Sequence, residues 1–265
     1  MALLINSKIS IVTIVYNDTN NIEQTILSVL DQKYADIEYI IIDGGSTDGT
    51  IDIIYKYETK ISYWITEPDM GIFDAMNKGL KIATGEWIIF MNCGDSFYNN
   101  EVLSNVFKNN VNDINLIYGN VELFSNSRRF IVKQKCTKYS INLNSICHQT
   151  VFIRLSKHSP FNLDYKLTAD HDIIFETIRN GHYMYVDIVI AKVLLGGVSY
   201  NVFKTSKEKL LISYRRGNFL DKILSPLFNI YQIIKFILKK IMVRILPAQV
   251  FERIASLKSK MESFV

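Results

Sequence analysis

The chain is 265 residues long, 48% hydrophobic and 21% charged, which supplies one sizeable core plus an appendage and excludes a disordered or fibrous protein. Three cysteines, Cys93, Cys136 and Cys147, are too few and too irregularly spaced for a disulfide framework or a C-x-x-C metal site. The formal net charge of +4 hides an asymmetry: residues 204–265 hold 13 Lys+Arg against 4 Asp+Glu, leaving 17 against 22 elsewhere, so a mildly acidic body precedes a basic tail that seeks an anionic surface.

Met1–Ser10 has no basic flank followed by a long apolar stretch, so the expected compartment is the reducing cytosol. Ile9–Tyr16 (ISIVTIVY) is a β-branched run of the kind buried on both faces of a parallel sheet. A helix follows over Asn21–Leu30, with Ile22, Ile26, Val29 and Leu30 inward. Ile37–Ile42 is a second strand, Thr50–Tyr57 a second helix, Ile61–Thr66 a third strand, Ile72–Ala83 a third helix and Glu86–Met91 a fourth strand. That alternation predicts right-handed βαβ units in a parallel sheet. After Asp95 the signals shorten: Leu116–Tyr118, Val121–Phe124 and Phe130–Val132 read as added antiparallel strands. A helix over Asp172–Asn180, capped by Gly181, and a strand over Val186–Leu195 complete a main domain that closes near Arg215.

Chemistry gathers at the strand ends. The run Asp43-Gly44-Gly45-Ser46-Thr47-Asp48-Gly49-Thr50 puts a carboxylate after a buried strand, then glycines that admit a ligand to the backbone, then a helix start. Open α/β sheets bind ligands there. It is neither G-x-G-x-x-G nor a P-loop, and the alternative is a plain turn with Asp48 as helix cap. Asn92-Cys93-Gly94-Asp95 repeats the message at the next strand end, and its carboxylate suits Mn²⁺ or Mg²⁺ shared with substrate phosphates, or else belongs to an ordinary turn. In Glu67–Gly79, Ile72, Met76, Leu80 and Ala83 form the core stripe of a helix whose Asp74 and Asn77 share a polar face toward the same crevice. The alternative for Asp74 is an ion pair with Lys78.

Taken in order, Ile9–Tyr16, Ile41–Thr50, Glu67–Gly79, Ala83-Thr84-Gly85-Glu86 and Asn92–Asp95 resemble the inverting glycosyltransferases of family 2. Gly71–Asn77 together with the Asn-x-Gly-Asp run resembles the branch that builds bacterial capsule, exopolysaccharide and lipopolysaccharide. The resemblance implies the GT-A fold, an α/β, Rossmann-like and mostly parallel sheet flanked by helices, with a small antiparallel addition. It implies transfer with inversion from a nucleoside-diphosphate sugar, a UDP-sugar foremost, to a hydroxyl of a saccharide or lipid-linked saccharide, with Mn²⁺ or Mg²⁺ as cofactor. By the same resemblance Asp43 binds the nucleotide base, Thr13 and the backbone around Val15 line that pocket, and Asp95 holds the metal. Asn92 and Gly94 stand where many relatives carry aspartates. Asp170, in Ala169-Asp170-His171-Asp172 before a helix, matches the family's general base; its other reading is a helix cap, with Asp172 the next candidate base. His148 and Gln149 match a segment facing the site, as phosphate, acceptor or metal contacts.

Lys222–Leu246 is apolar on most of its circumference, with Lys222, Ser225, Asn229, Gln232, Lys239 and Lys240 on one stripe at helical spacing. Lys235, Lys239, Lys240 and Arg244 interrupt it too often for a membrane span, whereas a helix lying in the headgroup region wants a basic edge. The chain therefore divides into a catalytic domain, 1–215, and amphipathic helices, 216–265, that bind the inner face of the cell membrane. Packing on protein or across a homodimer seam is the alternative, and nucleic acid is disfavoured by the greasy surface. Two rival classes remain: a sugar nucleotidyltransferase, which wants a basic glycine-rich loop that Ile14–Asp18 does not offer, and a non-catalytic nucleotide-binding protein, for which Asn92 and Gly94 speak.

Overall fold

A computed structural model describes residues 7–108, 111–125, 128–134, 146–195 and 202–245. The chain forms two compact units, one up to Val198 and one from Ser199 onward, so the helix that precedes Arg215 belongs to the second unit. Of the amphipathic helices expected over 216–265, the part beyond Ile245 lies outside the described residues.

In the first unit, β1 (Ile9–Val15), β2 (Ile37–Asp43), β3 (Tyr63–Thr66) and β4 (Trp87–Phe90) pair in parallel in the spatial order β3-β2-β1-β4. The connecting helices are α1 (Ile22–Leu30), α2 (Thr50–Lys56) and α3 (Ile72–Ile82). β1 is buried at every residue, as its unbroken β-branched sequence requires. Each of its isoleucines and valines contributes roughly 1.5–3 kcal/mol of burial.

β5 (Ser96–Phe97) and α4 (Val102–Val106) follow, and then β6 (Leu116–Phe124), β7 (Arg129–Val132), β8 (Val151–Arg154), α5 (Ala169–Asn180) and β9 (Tyr183–Leu194). β8 runs antiparallel between β4 and β6, β6 pairs in parallel with β9, and β5 and β7 attach antiparallel to β9 and β6. The result is a nine-stranded, mostly parallel sheet among the described residues.

Several boundaries differ from the sequence reading. Leu116–Tyr118 and Val121–Phe124 are one strand, because a register shift around Asn120 absorbs the polar interruption instead of breaking the ladder. α5 begins at Ala169, with Thr168 at its N-cap position, which places Asp170 in its first turn. The buried line of α3 is Phe73, Ala75, Met76 and Gly79, while Ile72 is 37% exposed. Gly79 explains that rotation: a Cβ there would lie 2.4 Å from Val12 Cγ1, so the helix rests directly on β1 along the side that has no side chain. Two residues beyond α3, Thr84 and Gly85 are clasped to the amino ends of β1 and β2 through Glu38 and Ser10.

Among the described residues the second unit is a helix pair, α6 (Val202–Arg216) and α7 (Phe219–Ile245). No described helix is long and apolar enough to cross a membrane.

Candidate active site

β1 sends one connection to β2 and stands next to β4 on its other side, so the strand order reverses at its carboxyl end, the place where open α/β sheets bind ligands. The first wall of the site is the turn after β2. Asp43 is fully buried, and its Oδ2 accepts from Gly45 N at 3.0 Å, Ser46 N at 2.8 Å and Thr66 Oγ1 at 2.6 Å. Its Oδ1 accepts from the Ser46 hydroxyl. Gly45 has φ +86° and Gly49 φ +100°, left-handed values that a side chain would strain. Asp48 accepts from Thr50 N at 3.0 Å and Thr19 N at 3.2 Å, so it both caps α2 and ties the turn to the loop after β1. Tyr16, 64% exposed, stands at the lip: its ring lies 3.3 Å from where a Cβ on Gly44 would be.

Thr13 and the backbone of Val15, both expected at the base pocket, are held by hydrogen bonds within the sheet and its turn. Thr13 is fully buried, and its hydroxyl donates to Met91 O at 2.8 Å and lies 3.1 Å from Tyr39 OH. Strand alternation explains this: Thr13 shares a face with Ile9, Ile11 and Val15, which line the core. The Val15 carbonyl accepts from Gly44 N at 2.9 Å and so fixes the turn.

The second wall is the loop before α3. Asp74 Oδ2 accepts from Met70 N at 3.0 Å and holds the helix entry, while Lys78 pairs with Glu67 at 2.8 Å and donates to Pro68 O. The Asp74–Lys78 pair is therefore not made. Asn77 is committed differently again: its Nδ2 donates to Phe161 O at 3.0 Å and its Oδ1 accepts from Phe161 N at 2.8 Å, as a strand neighbour would.

The third wall joins three distant segments. After β4, Gly94 has φ +91° and donates to Thr25 Oγ1 at 3.1 Å, which donates in turn to Asp95 O at 2.8 Å. Asp95 is 7% exposed; Gln149 Nε2 donates to its Oδ2 at 2.6 Å and Leu194 N to its Oδ1 at 3.3 Å. Burial pushes its carboxyl up to about 6, against the opposing pull of the Gln149 hydrogen bond. Asn92 Nδ2 lies 3.0 Å from His148 Nε2, and His148 Nδ1 lies 3.1 Å from Asp170 Oδ2. The network is satisfied by the tautomer with its proton on Nδ1, which donates to Asp170 while Nε2 accepts from Asn92.

Burial acts to raise the Asp170 carboxyl, but the hydrogen bond from His148 and the electrostatic pull of the His148 and His171 rings outweigh it and hold the group below the ordinary aspartate value. Its side chain keeps 22% exposure at the start of α5, whereas Asp172 is buried. Of the two candidate bases, Asp170 is the one open to an acceptor.

The residues fit a divalent cation. The buried Asn92 Oδ1 has no hydrogen-bond partner, and it stands three residues from the Asp95 carboxylate on the same turn. Among the described residues no cluster of three or more His, Cys, Asp or Glu is placed to hold an ion. The sequence reading missed Gln134, whose Nε2 donates to Thr150 Oγ1 at 2.8 Å and whose Oε1 accepts from Cys147 N at 2.7 Å, ordering the turn that carries His148 and Gln149. Only its strand-end position hinted at it.

Carboxylates, an amide and an imidazole thus converge at the carboxyl ends of a mostly parallel sheet, the crevice of an α/β enzyme. The chain belongs to glycosyl transferase family 2: the model of that family matches residues 10–171, from β1 to the first turn of α5, and so takes in Asp43, Asp95 and Asp170. A PGL/p-HBAD biosynthesis glycosyltransferase of Mycobacterium bovis is 31% identical over 202 residues, 72% of this chain and 78% of that protein. The UDP-Glc:α-D-GlcNAc-diphosphoundecaprenol β-1,3-glucosyltransferase WfgD of Escherichia coli is 26% identical over 86% of this chain and 92% of its own. Among solved structures, a mannosyltransferase of Pyrobaculum calidifontis in complex with GDP-Man and Mn²⁺ matches with a TM-score of 0.65 at 12% identity, covering 96% of this chain and 80% of that one. The protein is a glycosyltransferase with the GT-A fold.

Proposed function

We propose that the protein moves one sugar, with inversion at the anomeric carbon, from a nucleoside-diphosphate sugar to a hydroxyl of a lipid-linked saccharide during assembly of a bacterial surface polysaccharide. A UDP-sugar is the leading donor, in keeping with the activity printed for the E. coli relative. The observation that carries the reading is the link of Asp95 and Asp170 through the adjacent residues Gln149 and His148. One turn of chain thereby sets the diphosphate end and the proton-accepting end of the crevice together.

In this scheme Asp43 and the Tyr16 ring border the base: Oδ1 of Asp43 carries one hydrogen bond where Oδ2 carries three, so it is the atom left to accept from a base N–H. Asp170, kept ionised, takes the proton of the acceptor hydroxyl as that oxygen attacks the anomeric carbon. The bond from that carbon to the diphosphate breaks, and its electron pair leaves with the diphosphate; no covalent sugar–enzyme intermediate forms. Asp95 and Asn92 would hold Mn²⁺ or Mg²⁺, which when bound supplies charge stabilisation to the departing diphosphate. Thr13, Val15, Asp74 and Asn77 act as positioning residues behind these groups. Catalysis takes place on the cytoplasmic side, and the second unit attaches the enzyme to the membrane surface.

The test is nucleotide release from a panel of activated sugars with and without Mn²⁺ or Mg²⁺, followed by the anomeric configuration of the product. A β-linked product from an α-configured donor is expected. Retention of configuration would sink the inverting scheme, and no release from any donor would leave a non-catalytic nucleotide-binding protein.

A further inference from the structure

The α6/α7 pair is built inside out. Across its seam Ser213 Oγ and Ser225 Oγ lie 2.8 Å apart, and within α7 Asn229 Nδ2 donates to Ser225 O at 2.8 Å. Ser206, Asp221, Ser225 and Asn229 are buried, Ser225 to 1% exposure. Asp221, Ser225 and Asn229 recur every fourth residue, so one whole stripe of α7 turns its polar groups inward. The opposite stripe is apolar and exposed: Leu220, Ile223, Leu227, Ile230, Ile234 and Ile241, with Leu227 at 61%. α6 adds Phe203, Leu211 and Tyr214, also exposed. A pair of helices folded for water alone would place these two faces the other way round.

We infer that the α6/α7 pair is a membrane-surface module whose outer apolar stripe lies in the headgroup and upper acyl region of an anionic bilayer, while its polar seam holds the two helices together within that apolar setting. This deepens the membrane attachment proposed above and rests on that reading. Charge selects the occupant. Exposed Lys222 and Lys235 lie on opposite borders of the stripe at helical spacing, and residues 204–265 carry 13 basic against 4 acidic side chains. A second copy laid against the stripe would bring that surplus against itself, whereas an anionic lipid surface neutralises it. The stripe is also no crossing segment, since no described helix can span a bilayer.

The experiment uses the full chain. Flotation with vesicles of phosphatidylglycerol and phosphatidylethanolamine is compared with flotation on phosphatidylcholine alone, for the wild type and for Leu227→Glu/Ile234→Glu, with sedimentation velocity in lipid-free buffer alongside. The expected result is flotation with anionic vesicles only, a loss of at least about tenfold in partitioning for the double variant, and a wild type that sediments as a monomer. In a second arm, Tyr231→Trp fluorescence should shift to the blue and be quenched by shallow lipid-borne quenchers. Flotation unchanged in the double variant overturns the inference, as does a lipid-free dimer that the same substitutions dissociate. Nucleotide release by the double variant is measured in solution, so that a failure of catalysis and a failure of attachment are told apart.

Discussion

His148 Nδ1 lies 3.1 Å from Asp170 Oδ2, and this one hydrogen bond connects the turn before β8 to the first turn of α5. It orients the carboxylate and favours its ionised form. Asp170→Asn should lower kcat by about 10²–10⁴-fold, the range of a lost general base, with donor binding intact. His148→Ala should lower kcat by about 10–100-fold with little change in donor KM. Because His148 acts through Asp170, the double variant should be no slower than Asp170→Asn alone. Steady-state kinetics on the three proteins checks this, and multiplied losses would give His148 a role of its own.

Asp95 is buried, burial pushes its carboxyl up to about 6, and in the proposed scheme it holds the cation. Asp95→Asn removes the buried charge but sets an amide NH2 against one of the two donors, Gln149 Nε2 or Leu194 N, so the two effects offset and the thermal midpoint near neutral pH should move by no more than a few degrees. The upward shift that Mn²⁺ plus a nucleoside diphosphate gives the wild type should disappear. Thermal melts with and without both ligands decide it; a variant that melts lower yet keeps the ligand shift would remove Asp95 from the metal site.

The strands and the carboxylates at their ends were legible because β-branched runs and strand-terminal Asp-Gly signals are local. What was not legible depends on partners far along the chain. Phe161 takes both ends of the Asn77 amide, and Met91 and Tyr39 take the Thr13 hydroxyl, partnerships that no local pattern records. In α7 the helical period was readable, but its sense was not. Ser225 and Asn229 would face water on a lone helix, and they face inward here because α6 offers Ser213 opposite them. The buried line of α3 shifted for a related reason, since a missing side chain at Gly79 is a contact surface that hydrophobicity does not record.

Asn77 makes two hydrogen bonds to the backbone of buried Phe161, whose ring stacks on Phe73 with centroids 5.5 Å apart and meets Phe90 edge-on at 5.2 Å. Asn77→Ala should therefore leave a buried N–H and C=O without partners and cost about 2–4 kcal/mol of stability. Chemical denaturation should show a lower midpoint with an unchanged slope, and donor KM measured well below the melting range should stay near the wild-type value. A raised donor KM at unchanged stability would return Asn77 to the crevice as a donor ligand.

Glu38 anchors the opposite end of the sheet. Its carboxylate accepts from Lys8 Nζ at 2.8 Å, Ser10 Oγ at 2.6 Å and Thr84 N at 2.7 Å, and Gly85 N donates to Ser10 Oγ at 2.8 Å. Burial acts to raise its pKa, and the hydrogen bonds from Lys8, Ser10 and Thr84 outweigh it and hold the group at about 2. The folded-state value lies below the ordinary 4.5, so the unfolded chain takes up this proton first as acid is added. The stabilisation is thus complete above about pH 5 and is lost as pH falls through about 4 toward 2. Its size, discounted for partial solvent contact, is about 2 kcal/mol. Glu38→Gln should lose about that much at pH 7 and show a flatter stability profile between pH 5 and pH 3 than the wild type. Urea unfolding at stepped pH measures the difference, and parallel profiles for the two proteins would mean that the clasp contributes nothing through its charge.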